Sequence, residues 1–290
     1  MEDSAFSRTE MDTVAQLLCF GDASLCGSSE TPRLDAEVLL MHVLRRDRAW
    51  LRTWPEQRLA PAAAERFQSL LEQRRAGIPI AYLTGEREFW SRGFAVRPGV
   101  LIPRPETELL VELALDRIAP DRPARILDLG AGSGILAVTL ALERPLARVT
   151  AIDLSPEALE VARENAARHR VGNLLLVRGD WLESIVPARC FDLIVSNPPY
   201  IAEADPHLRQ GDLRFEPAFA LQSGSDGLDA LRRITDTARP RLRPGGLLLL
   251  EHGYDQAGAL RGILDGFGYA DIVHHPDLQG HPRATRAVYP

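Results

Sequence analysis

The chain contains no lysine: all 34 of its basic residues are arginine, set against 40 acidic ones for a net charge of −6 over 290 residues. Non-specific nucleic-acid binding calls for a basic surface, so this balance argues against a DNA or RNA substrate while leaving local patches open. Cysteine is scarce. Cys19, Cys26 and Cys190 have no metal-ligand spacing, which leaves no basis for a metal site or a disulfide framework and implies a reducing, cytoplasmic compartment. No apolar run approaches the ~18 residues that a membrane span needs. Met1 to Glu10 is acidic and polar, unlike a signal peptide. Internal repeats and low-complexity tracts are also missing. The apolar fraction of 45% and charged fraction of 26% are those of an ordinary folded protein, long enough for about two domains.

Residues 1–80 read as helices only. Thr31-Pro32 is a cap followed by proline at the first helical position, and Leu34, Val38 and Met41 follow at helical spacing, flanked by Leu40 and Leu44. A second helix is expected over Pro61 to Arg75, carrying Phe67, Leu70 and Leu71 and ending before Gly77. Residues 81–102 read as a connector built on a β-hairpin: Glu88-Phe89-Trp90 and Phe94-Ala95-Val96 flank Ser91-Arg92-Gly93, with Gly93 in or beside the turn.

From residue 103 to 290 strands and helices alternate. Strands are expected at Arg125–Leu129, Arg148–Ile152, Leu174–Val177, Phe191–Ser196, Leu247–Glu251, Tyr269–His274 and Thr285–Tyr289. Helices are expected at Ile135–Glu143, Pro156–His169, Gly227–Ala238 and Gln256–Gly266. Such alternation means an α/β fold with a mostly parallel, Rossmann-like seven-stranded sheet covered on both faces. The last two strands, joined without a helix, form an antiparallel edge pair.

Ligands of such sheets bind at the carboxyl ends of the strands, and four strand ends carry distinctive residues. The first is Asp128-Leu129 followed by Gly130-Ala131-Gly132-Ser133-Gly134, where alternate glycines let backbone approach a ligand at the start of a helix. The second is Asp153, about twenty residues on, placed to accept the ribose hydroxyls of a nucleoside. A dinucleotide loop wants glycine or alanine where Ile135 stands. No residue from Asp128 to Gly134 is basic, which suits a cationic sulfonium better than a diphosphate, so S-adenosylmethionine fits best. The third strand end carries Asp180-Trp181, an acceptor for the adenine amine beside an indole that can cover its face.

The fourth is Asn197-Pro198-Pro199-Tyr200. Two prolines fix φ, remove backbone donors and hold the preceding residue extended. The result is a stiff loop presenting an amide, bare carbonyl oxygens and an aromatic face. That set suits a planar group carrying an NH2, either a carboxamide or an exocyclic base amine.

The chain resembles the peptide-chain release factor glutamine methyltransferases over nearly its whole length. The resemblance is carried by Pro79 to Gly85, by Leu101-Ile102-Pro103-Arg104-Pro105-Glu106-Thr107-Glu108, by Asp128 to Gly134 and by Asp180-Trp181. It continues through Ser196 to Ile201, Asp205-Pro206-His207-Leu208, Arg214-Phe215-Glu216-Pro217 and Leu250-Glu251-His252-Gly253. It implies a class I S-adenosylmethionine-dependent methyltransferase domain preceded by a helical domain that engages the release factor. The acceptor would be the glutamine of the Gly-Gly-Gln loop in class-one release factors, in translation termination. Gly130, Ala131, Gly132, Ser133, Gly134, Asp153, Asp180, Trp181 and Asn197 would hold the donor, with no metal. Asn197, Pro198, Pro199 and Tyr200 would hold the acceptor, with Asn197, Pro198 and Tyr200 catalytic.

A carboxamide nitrogen is a poor nucleophile, so the enzyme would mainly position and polarise it: the Asn197 side-chain oxygen and the Pro198 carbonyl each accept one N–H, and Tyr200 stacks on the flat amide. The alternatives are an amino-methyltransferase on adenine or guanine in nucleic acid, which uses the same tetrapeptide, a nicotinamide-dependent oxidoreductase, and a module that only senses S-adenosylmethionine. His252 reads as a structural histidine. Arg104 and Arg214 read as anchors for the motif loops, pairing with Glu106, Glu216 or other acids.

Overall fold

The computed structural model describes residues 12–290, so the polar Met1 to Glu10 segment lies outside the described residues. The described residues divide into two compact units, one of residues 12–85 and 210–215, the other of residues 86–209 and 216–290.

The first unit is helical: α1 (Val14–Leu25), α2 (Pro32–Leu44), α3 (Arg48–Thr53), α4 (Pro61–Arg75) and α5 (Ile80–Thr84). Its core joins Leu17, Leu25, Leu39, Leu40, Phe67 and Leu71. The stripe on α2 is Ala36, Leu39 and Leu40, while Leu34 is exposed. The expected Leu34–Val38–Met41 stripe was therefore displaced. Apolar residues surround α2 on several sides, so its neighbours and not its periodicity choose the buried face. Thr31 stands at the N-cap position of α2 without capping it; its hydroxyl donates to Asp35 instead. Asp35 is held in turn by Arg74, at 2.7 Å, and Arg74 also donates to Asp212 at 2.9 Å.

The second unit opens with the hairpin β1 (Glu86–Phe89) and β2 (Arg92–Ala95). Its two-residue turn is Trp90-Ser91, both in the left-handed region, and Gly93 lies inside β2 opposite Glu88 and not in the turn. Phe89 and Phe94 are buried in the core of the second unit. The hairpin therefore packs as part of that unit, and the division falls after Gly85, whereas the sequence suggested a connector over 81–102.

The chain continues with α6 (Glu108–Arg117), β3 (Arg125–Leu129), α7 (Ile135–Glu143), β4 (Arg148–Asp153), α8 (Pro156–Arg168), β5 (Leu174–Arg178) and β6 (Phe191–Ser196). It ends with α9 (Asp229–Ala238), β7 (Leu242–Glu251), α10 (Ala257–Gly266), β8 (Ala270–Pro276) and β9 (Pro282–Val288). The seven-stranded sheet has the order β5-β4-β3-β6-β7-β9-β8, parallel from β5 to β7, with β9 antiparallel to both its neighbours. Every residue of β6 is buried, as expected of a central strand covered on both faces. Ile126, Leu193 and Leu249 pack on the face of α6 and α7, whereas Leu127, Ile194 and Leu250 pack with α9 and α10. β7 begins five residues earlier than expected, and its pairing with β6 passes a register shift between Phe191 and Leu193.

A candidate methyl-transfer site at the strand ends

The parallel order brings the carboxyl ends of β3, β4, β5 and β6 side by side. They wall a cavity of about 480 Å³ whose lining includes Gly130, Gly132, Asp153, Asp180, Trp181, Asn197 and Pro199. Residues that are up to 69 positions apart in sequence thus meet at one opening. Ala131, Ser133, Gly134, Pro198 and Tyr200 belong to the same loops but are not among the residues that line it.

The glycine loop is held from behind. Asp153 accepts from the Gly132 amide at 2.8 Å and from the Ser155 amide at 2.9 Å. Burial raises the Asp153 pKa against the lowering effect of these bonds. A carboxylate offers about four acceptor positions, so roughly two remain for a ligand. Gly134 is the N-cap of α7 at φ +81°, and a Cβ there would come within 3.0 Å of Ala162 on α8. The close helix approach therefore falls at Gly134. The buried amide of Asn165 donates to the Ser133 carbonyl at 2.8 Å and exchanges two bonds with Ala95, tying the loop to β2. Nothing in the spacing of the sequence pointed to Asn165. Asp128 is fully buried beneath the loop, accepts from the Ala137 amide at 3.1 Å, and burial pushes its carboxyl up to about 7.

Asp180 accepts from Arg233 at 2.8 Å, and Arg233 itself lines the cavity, a cation the sequence did not single out. The Trp181 ring lies over Gly130, whose added Cβ would come 3.6 Å from the indole. Exposed Leu154 and Phe219 line the cavity as well.

At the other end the side chains form a connected set. Ser196 pairs with Leu250 across parallel β6 and β7, so Asn197 and Glu251 emerge as neighbours. The Asn197 amide nitrogen donates to the Thr107 hydroxyl at 3.0 Å, Thr107 donates to Glu251 Oε2 at 2.7 Å, and the Tyr200 hydroxyl donates to Glu251 Oε1 at 3.2 Å. Thr107 and Glu251 are buried, and burial pushes the Glu251 carboxyl up to about 7. The Tyr200 carbonyl accepts from Gln256 at 2.9 Å, which fixes the far end of the loop. Thr107 and Glu251 stand inside the motifs quoted above, but only the tertiary structure brings them together beside Asn197: the register of β6 and β7 places Glu251, and the turn before α6 places Thr107.

His252 is a structural residue. Its Nδ1 faces the Gly253 carbonyl at 2.8 Å and must carry the proton, so Nε2 accepts from Thr285, which in turn accepts from His274. Arg104 pairs with Glu216, which also accepts from the Ile102 amide at 2.9 Å, as expected of an anchor. Among the described residues Arg214 has no acidic partner. It donates to the Ala76 carbonyl at 3.3 Å and stacks over Phe215.

Among the described residues no helix is long and apolar enough to cross a membrane. Residues 16–85 match the family described as PrmC N-terminal domain, and residues 105–213 match the family described as methyltransferase small domain. A methyltransferase structure from Pyrococcus furiosus shares the fold at a TM-score of 0.52 and 18% identity, covering 77% of this chain and 97% of that one. A 16S rRNA methyltransferase from T. thermophilus, solved with AdoMet and guanosine, does so at a TM-score of 0.52 and 20% identity, covering 71% and 50%.

Full-length similarity is much closer. Release factor glutamine methyltransferases from Xylella fastidiosa strain 9a5c and Vibrio cholerae are 53% and 50% identical. The matches cover 87% and 90% of this chain and 92% and 91% of theirs. The corresponding Escherichia coli K12 protein is 45% identical, covering 90% of this chain and 94% of its own. Matches of this extent mean that the chain belongs to the release factor glutamine methyltransferase family.

Proposed function

We propose that the protein methylates the side-chain amide nitrogen of the glutamine in the Gly-Gly-Gln loop of class-one release factors, with S-adenosylmethionine as donor. The observation that carries this reading is a single cavity bounded at one end by the glycine loop and Asp153 and at the other by Asn197. The donor fits the residues present. Gly132 has open space where a Cβ would stand, the loop holds no cation, and Asp153 retains acceptor capacity. The sulfonium supplies a methyl group already activated for transfer, so no metal is required.

Gly130 to Gly134 provide the bed for the donor, Asp153 its ribose acceptor, and Asp180 with Trp181 its base contacts. Asn197 Oδ1 and the Pro198 carbonyl each accept one N–H of the glutamine amide, and the Tyr200 ring lies along its plane. These bonds hold the nitrogen lone pair on line and strengthen as positive charge grows on that nitrogen, so they favour the transition state over the ground state. The proline pair keeps the carbonyls bare and the loop stiff.

An amide in a narrow pocket offers little area, so affinity for a whole release factor must come from contacts elsewhere, and the helical unit is the part we assign to them. A cytoplasmic location goes with this substrate. Mass spectrometry of a purified release factor after reaction should place one added methyl on the Gly-Gly-Gln glutamine, and a short Gly-Gly-Gln peptide should be a poor substrate. A methyl on DNA, RNA or another residue, with that glutamine untouched, would defeat the substrate assignment.

A further inference from the structure

Asn197 reaches the cavity, but the groups that orient it do not. Thr107 is fully buried and Glu251 nearly so, and neither lines the cavity. An asparagine amide looks the same to its neighbours in shape whichever way round it lies; only hydrogen bonds choose. Here the choice is forced from two residues away. Glu251 has its carboxyl pushed up to about 7, so above that pH it is a carboxylate that accepts and never donates, and the single hydroxyl hydrogen of Thr107 goes to Glu251 at 2.7 Å. Thr107 has then only lone pairs left for Asn197, so the Asn197 atom at 3.0 Å is its NH2 group. The oxygen of the amide is left toward the cavity. The Tyr200 hydroxyl engages the second oxygen of Glu251 and holds the carboxylate plane in register with Thr107. Arg283 and Arg104 are the cations that act on this cluster, and Glu106 is the further acid.

We infer that Glu251, acting through Thr107, fixes which end of the Asn197 amide faces the acceptor, and thereby makes the enzyme select a carboxamide over a carboxylate. The inference rests on the reading of Asn197 as the acceptor-facing group. An acceptor oxygen on Asn197 meets an N–H of glutamine; it meets an oxygen of glutamate, which at neutral pH has no hydrogen to give. A site built around a hydrogen bond rejects the analogue that cannot make it far more strongly than a site built on shape. Glu251 and Thr107 are positioning residues: Thr107 touches Asn197, Glu251 acts on it through Thr107, and neither lines the cavity.

Two substitutions remove the forced direction without changing side-chain size greatly. Glu251→Gln gives a side chain with one donor end and one acceptor end, and Tyr200 can serve either, so both directions of the chain become available. Thr107→Val deletes the link. Thr107→Ser keeps it. Each variant is assayed as full-length protein with a purified release factor carrying Gly-Gly-Gln and with the same factor carrying Gly-Gly-Glu as a competitor.

In Glu251→Gln and Thr107→Val, kcat on the glutamine factor should fall by about ten- to a hundredfold, the scale of one lost polar contact. Inhibition by the glutamate factor should tighten at least several-fold relative to wild type. Donor affinity by calorimetry should stay within about twofold, and Thr107→Ser should restore both readouts. A merely structural role would not move the glutamine-to-glutamate ratio.

If both variants keep the wild-type ratio while Asn197→Ala is inactive, the relay is wrong and the reading of Asn197 stands. If Asn197→Ala itself turns over normally, that reading has failed first. Should Glu251→Gln not fold, as judged by circular dichroism, the Thr107→Val and Thr107→Ser pair decides the question alone.

Discussion

The two ends of the cavity are built by different physics. At the glycine end the wall is backbone: Gly130 and Gly132 stand in left-handed conformations, and Asp153 pins the Gly132 amide. At the Asn197 end the wall is a side chain whose direction is handed down through buried Thr107 and Glu251. Backbone geometry is set locally by φ and ψ and changes little when a distant residue changes. A side-chain wall depends on every member of its hydrogen-bond chain, so damage far from the cavity reaches it. Substitutions at the two ends should therefore separate in what they alter.

The widest separation is expected from Asn197→Ala. Loss of a preorganised polar group at a reacting centre costs about 2.7–4 kcal/mol, or roughly a hundred- to a thousandfold in rate. Single-turnover rates at saturating donor should fall by that factor while donor affinity holds. A variant that lost donor affinity instead would merge the two ends into one.

Asp153→Ala should act the other way, weakening donor binding by about ten- to a hundredfold, since a hydrogen bond to a charged group contributes roughly 1.5–3 kcal/mol. Asp153→Asn should be no milder, because its NH2 would face the Gly132 or the Ser155 N–H, two donors set against each other. Calorimetry on folded variants reads both; unchanged affinity would remove Asp153 from the donor end.

The smallest effect concerns Asp128, the one buried carboxyl beneath the backbone cradle. Its pKa rises from the ordinary 3.8 to about 7 on folding, mainly through desolvation. The folded state thus prefers the protonated form, so this group's contribution is fully present below about pH 4 and is lost as pH climbs through 7. Glu251, pushed up to about 7 by burial as well, adds a slope of the same sign. Asp128→Asn should flatten the fall of melting temperature between pH 4 and 8 without abolishing it. An unchanged slope would mean that Asp128 does not titrate in this range.

Much of the second unit was legible because its signals are local. β3, α7 and β6 run over the expected residues, since each is a short apolar run closed by a glycine loop or a proline. The strand-end motifs needed only the rule that parallel strands expose their carboxyl ends together. The hairpin shows the limit. Its existence followed from alternating aromatics around a polar break, with Gly93 expected in or beside the turn, and it is Trp90 and Ser91 that take the left-handed turn positions. The pairing of Phe89 with Arg92 and the burial of Phe89 and Phe94 outweigh the local preference for glycine in the turn. On α2 the same weighing moved the buried stripe to Ala36, Leu39 and Leu40.

By itself, then, the sequence determined the alternating architecture, the glycine loop with its following acid, and the stiff Asn-Pro-Pro-Tyr loop, because each depends on conformational limits of residues close together in the chain. Only the tertiary structure decided which residues stand behind those loops. Asn165 reaches Ser133 and Ala95 across 32 and 70 residues, and Glu251 reaches Thr107 across 144. Such partners carry no spacing to read. Strand register and buried hydrogen-bond satisfaction select them, and both exist only once the sheet has formed.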